Sequence, residues 1–340
     1  MSQYLSLERM EIQNANCIAG MTWGFPAITH FLGFVHHTQR ELQTSFSLSF
    51  GGVMVVCHAH QAHTYQDGGG HRFLQSKNPP YLNDKSKADK TPSIVEEGRM
   101  NMTVSLVIKL QQEWTGDSDD QQKLLKRIEG LCRRGRLAGG LILDVEKVEL
   151  STARSAEEQR KLMGKFRRRL TPGYVLMERS SLLAKHFDSL QENHSDAQLL
   201  NAWMDFSALK YRAELKDSKK KSKPTEKDDA EWIRCDKPHD QGWLVPVMTG
   251  YRAISPLYEP GEVQRVRDET VPACFVEAVH TIGEWLSTYR LKDIDTALWH
   301  YSFDDGWYLC LQGDGKRHSE DLDHAEEDQD LSYDEVLASI

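Results

Sequence analysis

The 340-residue chain has no apolar run near the roughly 18 to 20 residues of a membrane span, so a helical membrane protein is not expected. Its opening Met1-Ser2-Gln3-Tyr4 lacks the basic and apolar regions of a secretory leader, and a cytoplasmic protein is expected. Cysteine is sparse. The six residues Cys17, Cys57, Cys132, Cys235, Cys274 and Cys310 are dispersed, with no C-x-x-C pair. Closed zinc sites draw their ligands from close pairs, so no metal is expected and the thiols read as free, several of them buried. Catalytic signatures are missing too: there is no G-x-S-x-G, no Walker loop and no H-E-x-x-H. The run Asp67-Gly68-Gly69-Gly70 is no phosphate loop, because no Lys-Ser/Thr and helix follow it. No cofactor is called for. Basic residues vanish between Glu320 and Glu335, where nine carboxylates stand without a Lys or Arg. Setting those aside turns the net charge of −9 into 42 acidic against 42 basic residues, a neutral body with clustered cations. That permits nucleic-acid binding without requiring it.

What is present centres on Ile12–Leu42. A strand over 5–13 reaches the amide-rich turn Gln13-Asn14-Ala15-Asn16, then a loop with Gly20 and Trp23-Gly24-Phe25-Pro26. Ile28, Phe31, Leu32, Val35 and Leu42 follow at helical spacing. Amides, glycines and aromatics at a strand-to-helix handover suit a ligand held by backbone N–H groups and a flat ring. Phe46–Phe50 alternates as a strand does, and Val53–Val56 reads as a buried strand. From His58 to Glu97 the pattern fails, as in functional or mobile loops. A strand over 100–110, a helix to about Arg134 and a glycine turn into a strand at 137–143 come next. Helices are expected over 155–170, 181–191 and 197–215, with a short strand at 174–177. The lysine-rich run 216–229 reads as a disordered linker. Residues 271–286 mix strand and helix character, and Trp299–Phe303 with Trp307–Leu311 form a hairpin. The order fits a ferredoxin-like (RRM-type) α+β domain with a helical insertion, or else a mixed α/β domain with a helical cap.

Lys123, Lys126, Arg127, Arg133, Arg134 and Arg136 form one basic cluster; Arg160, Lys161, Lys165, Arg167, Arg168 and Arg169 form another. Each is a solvated helix face or a phosphate-binding surface. Trp23, Phe25, Tyr251 and Tyr258 sit beside glycine or proline and are core rings or base-stacking platforms. Cys57, His58, His60 and His63 read as loop residues rather than metal ligands. His36 and His37 could serve as acid and base in RNA cleavage, but no partner nucleophile is evident.

Several blocks resemble one CRISPR family. They are Ile12-Gln-Asn-Ala-Asn16, Thr22-Trp-Gly-Phe-Pro26, Gly33-Phe-Val-His36 with Gln39-Arg40, and Ile94-Val-Glu-Glu-Gly-Arg99. Arg136-Leu-Ala-Gly-Gly140, Arg168-Arg169-Leu170 with Pro172-Gly173, and Gly242-Trp-Leu-Val-Pro246 continue the match. So do Gly250-Tyr251, Ser255-Pro-Leu-Tyr258, Pro260-Gly-Glu-Val263, Phe275-Val-Glu277 and Gly283-Glu-Trp-Leu-Ser287. Collinear from about residue 5 to residue 300, they resemble the second Csy subunit, the Cas-five-like member of the type I-F CRISPR surveillance complex.

The resemblance implies an RRM-like core of the RAMP superfamily over 1–57 and 98–150, with a thumb-like extension at 58–97 and a helical insertion at 151–215. The C-terminal part of the core is 231–312, while the linker at 216–230 and the acidic tail at 313–340 complete the division as departures from the family pattern. It implies a non-catalytic subunit that grips the 5′ handle of the CRISPR RNA and docks against the large subunit and a Cas-seven-like backbone subunit. Target DNA would be met through the assembled complex, and phage anti-CRISPR proteins are a further class of partner. On this reading residue chemistry assigns Asn14, Asn16, Trp23 and Phe25 to bases or ribose, and Arg99, Arg134, Arg136, Gly139 and Gly140 to phosphates. Tyr251 and Arg252 would close the opposite wall, and Arg40 joins the set from its matched block. Two alternatives remain: a metal-independent CRISPR RNA endonuclease using His36 or His37, and a protein–protein adaptor whose basic faces only solvate.

Overall fold

The computed structural model describes residues 1–68, 70–77, 94–215, 229–238 and 242–313. The lysine-rich run 216–228 and the acidic tail lie outside the described residues. The chain opens with β1 (Ser2–Asn16), the short strands β2 (Ile18–Ala19) and β3 (Thr22–Trp23), α1 (Ile28–Phe46) and β4 (Phe50–Ala62). An extension of β5 (Thr64–Asp67), β6 (Gly70–Lys77) and β7 (Ile94–Glu97) precedes β8 (Arg99–Leu110), α2 (Ser118–Arg134), β9 (Arg136–Leu137) and β10 (Gly140–Ala153). Then come α3 (Ala156–Leu170), β11 (Tyr174–Glu178), α4 (Ser180–Asn193), α5 (Leu199–Ser207) and the pair β12 (Tyr211–Leu215) and β13 (Ala230–Arg234). The last strands are β14 (Leu244–Ala253), β15 (Val276–Ser287), β16 (Trp299–Asp304) and β17 (Trp307–Gln312).

The long elements of the first half run β1-α1-β4-β8-α2-β10, and their strands lie side by side in the order β4-β8-β1-β10, all antiparallel to their neighbours. Alternation along these strands divides the core in two. Leu5, Leu7, Val53, Val55, Leu106 and Ile108 face the layer of α1 and α2. Tyr4, Met54, Val56 and Val107 face the other way, onto Leu162, Phe166 and Leu170 of α3. Burial on both faces explains the unbroken apolar runs at Val53–Val56 and Leu106–Ile108.

The helices start where the sequence caps them. Asp117 Oδ1 accepts the N–H of Asp120 at 2.8 Å to begin α2, which carries acids in its first turn and Arg133 and Arg134 in its last, matching the helix dipole. Ser155 caps α3 by accepting from Glu158 N–H at 3.2 Å.

The second half extends the same sheet. Beyond β4 the order is β16-β17-β14-β15-β11, and β11 returns to pair with β4 through Tyr174–Cys57 and Val175–Val56. These strands therefore form a closed circuit on the far edge of β4. Trp299 is its hub, fully buried, with its indole N–H donating to the Leu176 carbonyl at 3.1 Å.

Four local expectations are corrected. Phe46 ends α1 rather than opening a strand, because it packs on the core and Ser47 then turns left-handed at φ 51°. Within 58–97 the described residues are not patternless, 69 and 78–93 lying outside them: β4 runs on to Ala62 and β5, β6 and β7 form a small sheet, its strands too polar for periodicity to reveal. The helix expected over 197–215 stops at Ser207, since Tyr211–Leu215 pairs with Ala230–Arg234, a partner distant in sequence. Residues 276–287 are entirely strand, and Gly283 sits where a Cβ would lie 2.6 Å from Val247.

An ionic knot ties α3 to the sheet. Arg169 pairs with the buried Glu8 and, at 2.9 Å, with Glu149, which Lys165 and Lys147 also hold. Burial would raise the Glu149 pKa, but these cations outweigh it and bring it from 4.5 to about 2. A depressed carboxylate stabilises the fold above its unfolded pKa, and that contribution is lost as pH falls from about 4.5 through about 2. Acid unfolding followed by circular dichroism is expected to show a shallower acid limb in Glu149→Gln than in the wild type. Trp299→Ala should cost about 3–5 kcal/mol in denaturant unfolding.

Candidate nucleic-acid interface

The amide-rich turn is the end of β1 itself. Asn14 takes φ 61° and its N–H donates to Asn101 Oδ1 at 3.0 Å. Asn16 lies opposite Arg99 in the β1–β8 ladder and donates its N–H to Ala138 O at 2.8 Å. Its amide is spent inside the turn, Nδ2 donating to Ile18 O at 3.0 Å and Oδ1 accepting Ile18 N–H at 3.1 Å. Cys17 N–H goes to Gly98 O, Gly24 N–H to Cys17 O, and Met21 N–H to His280 Nε2. The backbone N–H groups of Asn14, Asn16, Cys17, Ile18, Met21 and Gly24 are thus occupied, and what this turn offers is chiefly side chains and rings.

Against Asn16 stands the turn of β9 and β10. Ala138 and Gly139 both take positive φ, 50° and 75°, and Arg136 Nη1 donates to Gly139 O at 3.2 Å. A Cβ on Gly139 would stand 4.0 Å from Arg99 Nη1, so two guanidiniums flank one exposed glycine turn. Gly140 is buried because a Cβ there would meet Gln13 O at 2.7 Å and Ala15 N at 2.8 Å. Arg99 also pairs with Glu97 at 3.6 Å, a half-exposed contact weak enough to be exchanged for a phosphate.

The aromatics split. Trp23 is exposed, its ring edge-on to Phe73 of β6 at 4.7 Å. Phe25 is packed, stacked on Phe31 at 5.5 Å and edge-on to Trp285 at 4.8 Å. Tyr251 packs with Ala19, Ala27 and Met248 under the same loop, whereas Arg252 lies 4.5 Å over the Trp307 ring. Arg40 is exposed on α1, twelve residues or about 18 Å beyond the start of that helix.

Much of the basic charge is engaged internally. Arg169 and Lys165 serve the ionic knot, Arg167 donates to Leu291 O, Arg127 pairs with Glu41, and Arg133 pairs with Glu129 and Asp144. Among the described residues Lys126, Arg134, Arg160 and Arg168 keep exposed or half-exposed cations without an ion pair.

Nor does the chemistry of the thiols and histidines suggest a reactive centre. Burial pushes Cys57, Cys132 and Cys310 up to about 12. His58 donates Nδ1–H to Pro172 O at 2.7 Å and accepts from Ser105 Oγ at Nε2, also at 2.7 Å, and burial lowers its pKa, which keeps it neutral. His36 stacks on Tyr301 at 6.0 Å. The described residues hold no cluster of His, Cys, Asp or Glu suited to a metal ion, and no helix among them is long and apolar enough to cross a membrane.

The family model described as CRISPR-associated protein (Cas_Csy2) matches residues 5–310. The CRISPR-associated protein Csy2 of Pseudomonas aeruginosa (strain UCBPP-PA14) is 37% identical over 308 residues, covering 87% of this chain and 90% of that protein. The chain belongs to the Csy2 family. The resemblance read from the motif blocks is therefore correct. Within this family frame, the structure brings Asn14, Asn16, Arg99, Arg136, Gly139 and Gly140 together at one end of the sheet, with Arg134 two residues before Arg136. Trp23, Phe25 and Tyr251 gather around the adjoining loop.

Sequence reasoning did not single out Tyr174 and Trp243, whose half-exposed rings meet edge to face at 5.8 Å near Trp23. A signal was there: Trp23-Gly24, Gly173-Tyr174 and Gly242-Trp243 each set an aromatic beside a glycine. Gly140→Ala should part β1 from the β9–β10 turn and lower stability by about 1–3 kcal/mol in denaturant unfolding, with Ala138→Gly nearly neutral.

Proposed function

We propose that the chain is a non-catalytic subunit of a type I-F CRISPR RNA-guided complex and holds the 5′ handle of the CRISPR RNA. The observation that carries this reading is the meeting of Arg99 and Arg136 about the exposed Gly139 turn, on a Csy2-family chain whose exposed Trp23 is tied to the same strand end through the backbone hydrogen bonds of Gly24, Cys17 and Gly98. Guanidiniums beside an exposed turn suit backbone phosphates, and a half-free indole suits an unstacked base.

In this reading the β1-α1-β4-β8-α2-β10 unit, with its strand order β4-β8-β1-β10, is a ferredoxin-like core of the RAMP type. The sheet of β5, β6 and β7 is the base of the thumb, and Phe73 on Trp23 couples it to the handle site. The block 151–215 is the insertion, although β11 within it belongs to the sheet. Arg99, Arg134 and Arg136 take phosphates; Asn14 and Trp23 meet bases or ribose; Asn16, Phe25, Gly140 and Tyr251 hold the shape of the turn. Arg40 and Arg252 lie on neighbouring surfaces and extend the electrostatic footprint. The large subunit and the Cas-seven-like backbone subunit dock beside this surface, target DNA is met through the assembly, and the protein works in the cytoplasm.

Arg136→Ala is expected to weaken handle RNA binding nearly uniformly across handle sequences and to reduce the salt slope by about 0.7, one single-strand phosphate contact. Filter binding across a salt series checks this, and a loss confined to particular handle sequences would mean that Arg136 reads bases. Site-specific cleavage of repeat RNA by the purified chain, lost in His36→Ala, would replace the structural reading by the endonuclease one.

A further inference from the structure

A cavity of about 360 Å³ opens beside the candidate interface, between the β3 loop and the circuit of β11, β14 and β15. Its floor is aliphatic and buried, made by Leu176, Val247 and Met248. Its mouth is aromatic and wet: Trp23, Tyr174 and Trp243 remain 53%, 44% and 54% exposed. Three large rings left half in water around a dry floor are the mark of a ligand site rather than of finished packing.

The backbone holds two of these rings in place. Gly173, beside Tyr174, sits where a Cβ would meet Leu170 O at 2.4 Å, and Gly242, beside Trp243, takes φ 87°. Polar groups are few. Both His58 nitrogens are engaged, and Cys57 Sγ leans on Ala59 O at 3.7 Å. His60, exposed at the rim, is the histidine left to read a polar edge. The complement of such a cavity is a flat π-system with a polar edge.

Its neighbour narrows the choice further. Gly24 N–H donates to Cys17 O at 2.9 Å and Cys17 N–H donates to Gly98 O at 3.0 Å, so the mouth and Arg99 hang on one hydrogen-bonded turn. An apolar peptide side chain would have no use for a cation tied to the same turn, whereas a base carries its phosphate with it. We propose that this cavity takes one unstacked nucleobase of the bound RNA, stacked on the ring cluster of Trp23, Tyr174 and Trp243, while Arg99 and Arg136 hold the adjoining phosphates. This deepens the handle-binding reading and rests on it.

The test uses the complex reconstituted from this full chain, the other Csy subunits and handle RNAs carrying a single abasic nucleotide at each position in turn. With intact RNA, Trp243→Ala should weaken binding roughly 5- to 150-fold, the range one stacked base is worth, and Trp243→Phe should restore most of it. At one handle position the abasic RNA should lose as much by itself and lose nothing more in Trp243→Ala. Tight binding of intact RNA by the wild type, with every abasic position adding independently to Trp243→Ala, would overturn the cavity proposal and leave the handle reading standing. Unchanged RNA affinity with impaired subunit assembly in Trp243→Ala would overturn it in favour of a protein side chain as occupant. Failure of the wild-type complex to distinguish the handle from unrelated RNA would sink the handle reading itself.

Discussion

Everything in this molecule hangs on β4 having two occupied edges. One edge runs antiparallel to β8 and joins the β1-α1-β4-β8-α2-β10 unit; the other takes β16 at Val53 and β11 at Val56 and Cys57. A strand hydrogen-bonded on both edges and buried on both faces cannot shift register without turning its apolar set out of both cores. Here that set is Val53 to Val56, with alternate members committed to α1 and to α3. The first half of the chain and its last strands are thereby fixed to each other, and the loop that connects β1 to α1 has somewhere to lie.

That loop carries the candidate interface, and its shape follows from the same constraint. Because β1 is the central strand between β8 and β10, its end brings Asn16 against Arg99 on one side and the Ala138–Gly139 turn on the other. The loop then crosses to β15, where His280 accepts from Met21 and packs under Gly20. Two guanidiniums, a glycine turn and three open rings are therefore carried on strand ends and turns that the fold fixes, with Arg136 on Gly139 O and Tyr174 against Trp243 as local braces. Pre-positioned groups of this kind bind an extended strand at low ordering cost. The ionic knot of Glu8, Glu149, Lys165 and Arg169 has a different task, fastening α3 to the opposite face of the sheet and removing those cations from any ligand surface.

The parts legible in sequence were those where local pattern and tertiary environment agree. Ile28, Phe31, Leu32, Val35 and Leu42 form the buried stripe of α1, Asp117 caps α2, and Asp305-Gly306 turns the last hairpin. Reading failed in β5 and β6, which are mostly polar, and in β12, where Tyr211, Ala213 and Leu215 do alternate but the partner strand β13 lies beyond the lysine-rich run. It also failed where one residue type serves two ends: Phe46 closes a helix and Phe50 opens a strand, and only the left-handed Ser47 between them separates the two. Residue type singled out arginines and glycines that the fold brings together, but not which donors were free. Asn16 and Phe25 have the composition of contact residues and the bonding of structural ones. Tyr174 in β11 and Trp243 just before β14 line the same cavity as Trp23 from about 150 and 220 residues away, a juxtaposition that belongs to the sheet topology alone.

The central claim is that this chain is what holds the CRISPR RNA 5′ handle. Hydroxyl-radical footprinting of the RNA in complexes assembled with and without the chain tests it most directly. Protection of the handle backbone that appears only when the chain is present, with the RNA uncut, is the expected result. A handle equally exposed in both, or cleaved when the chain is added, would contradict it.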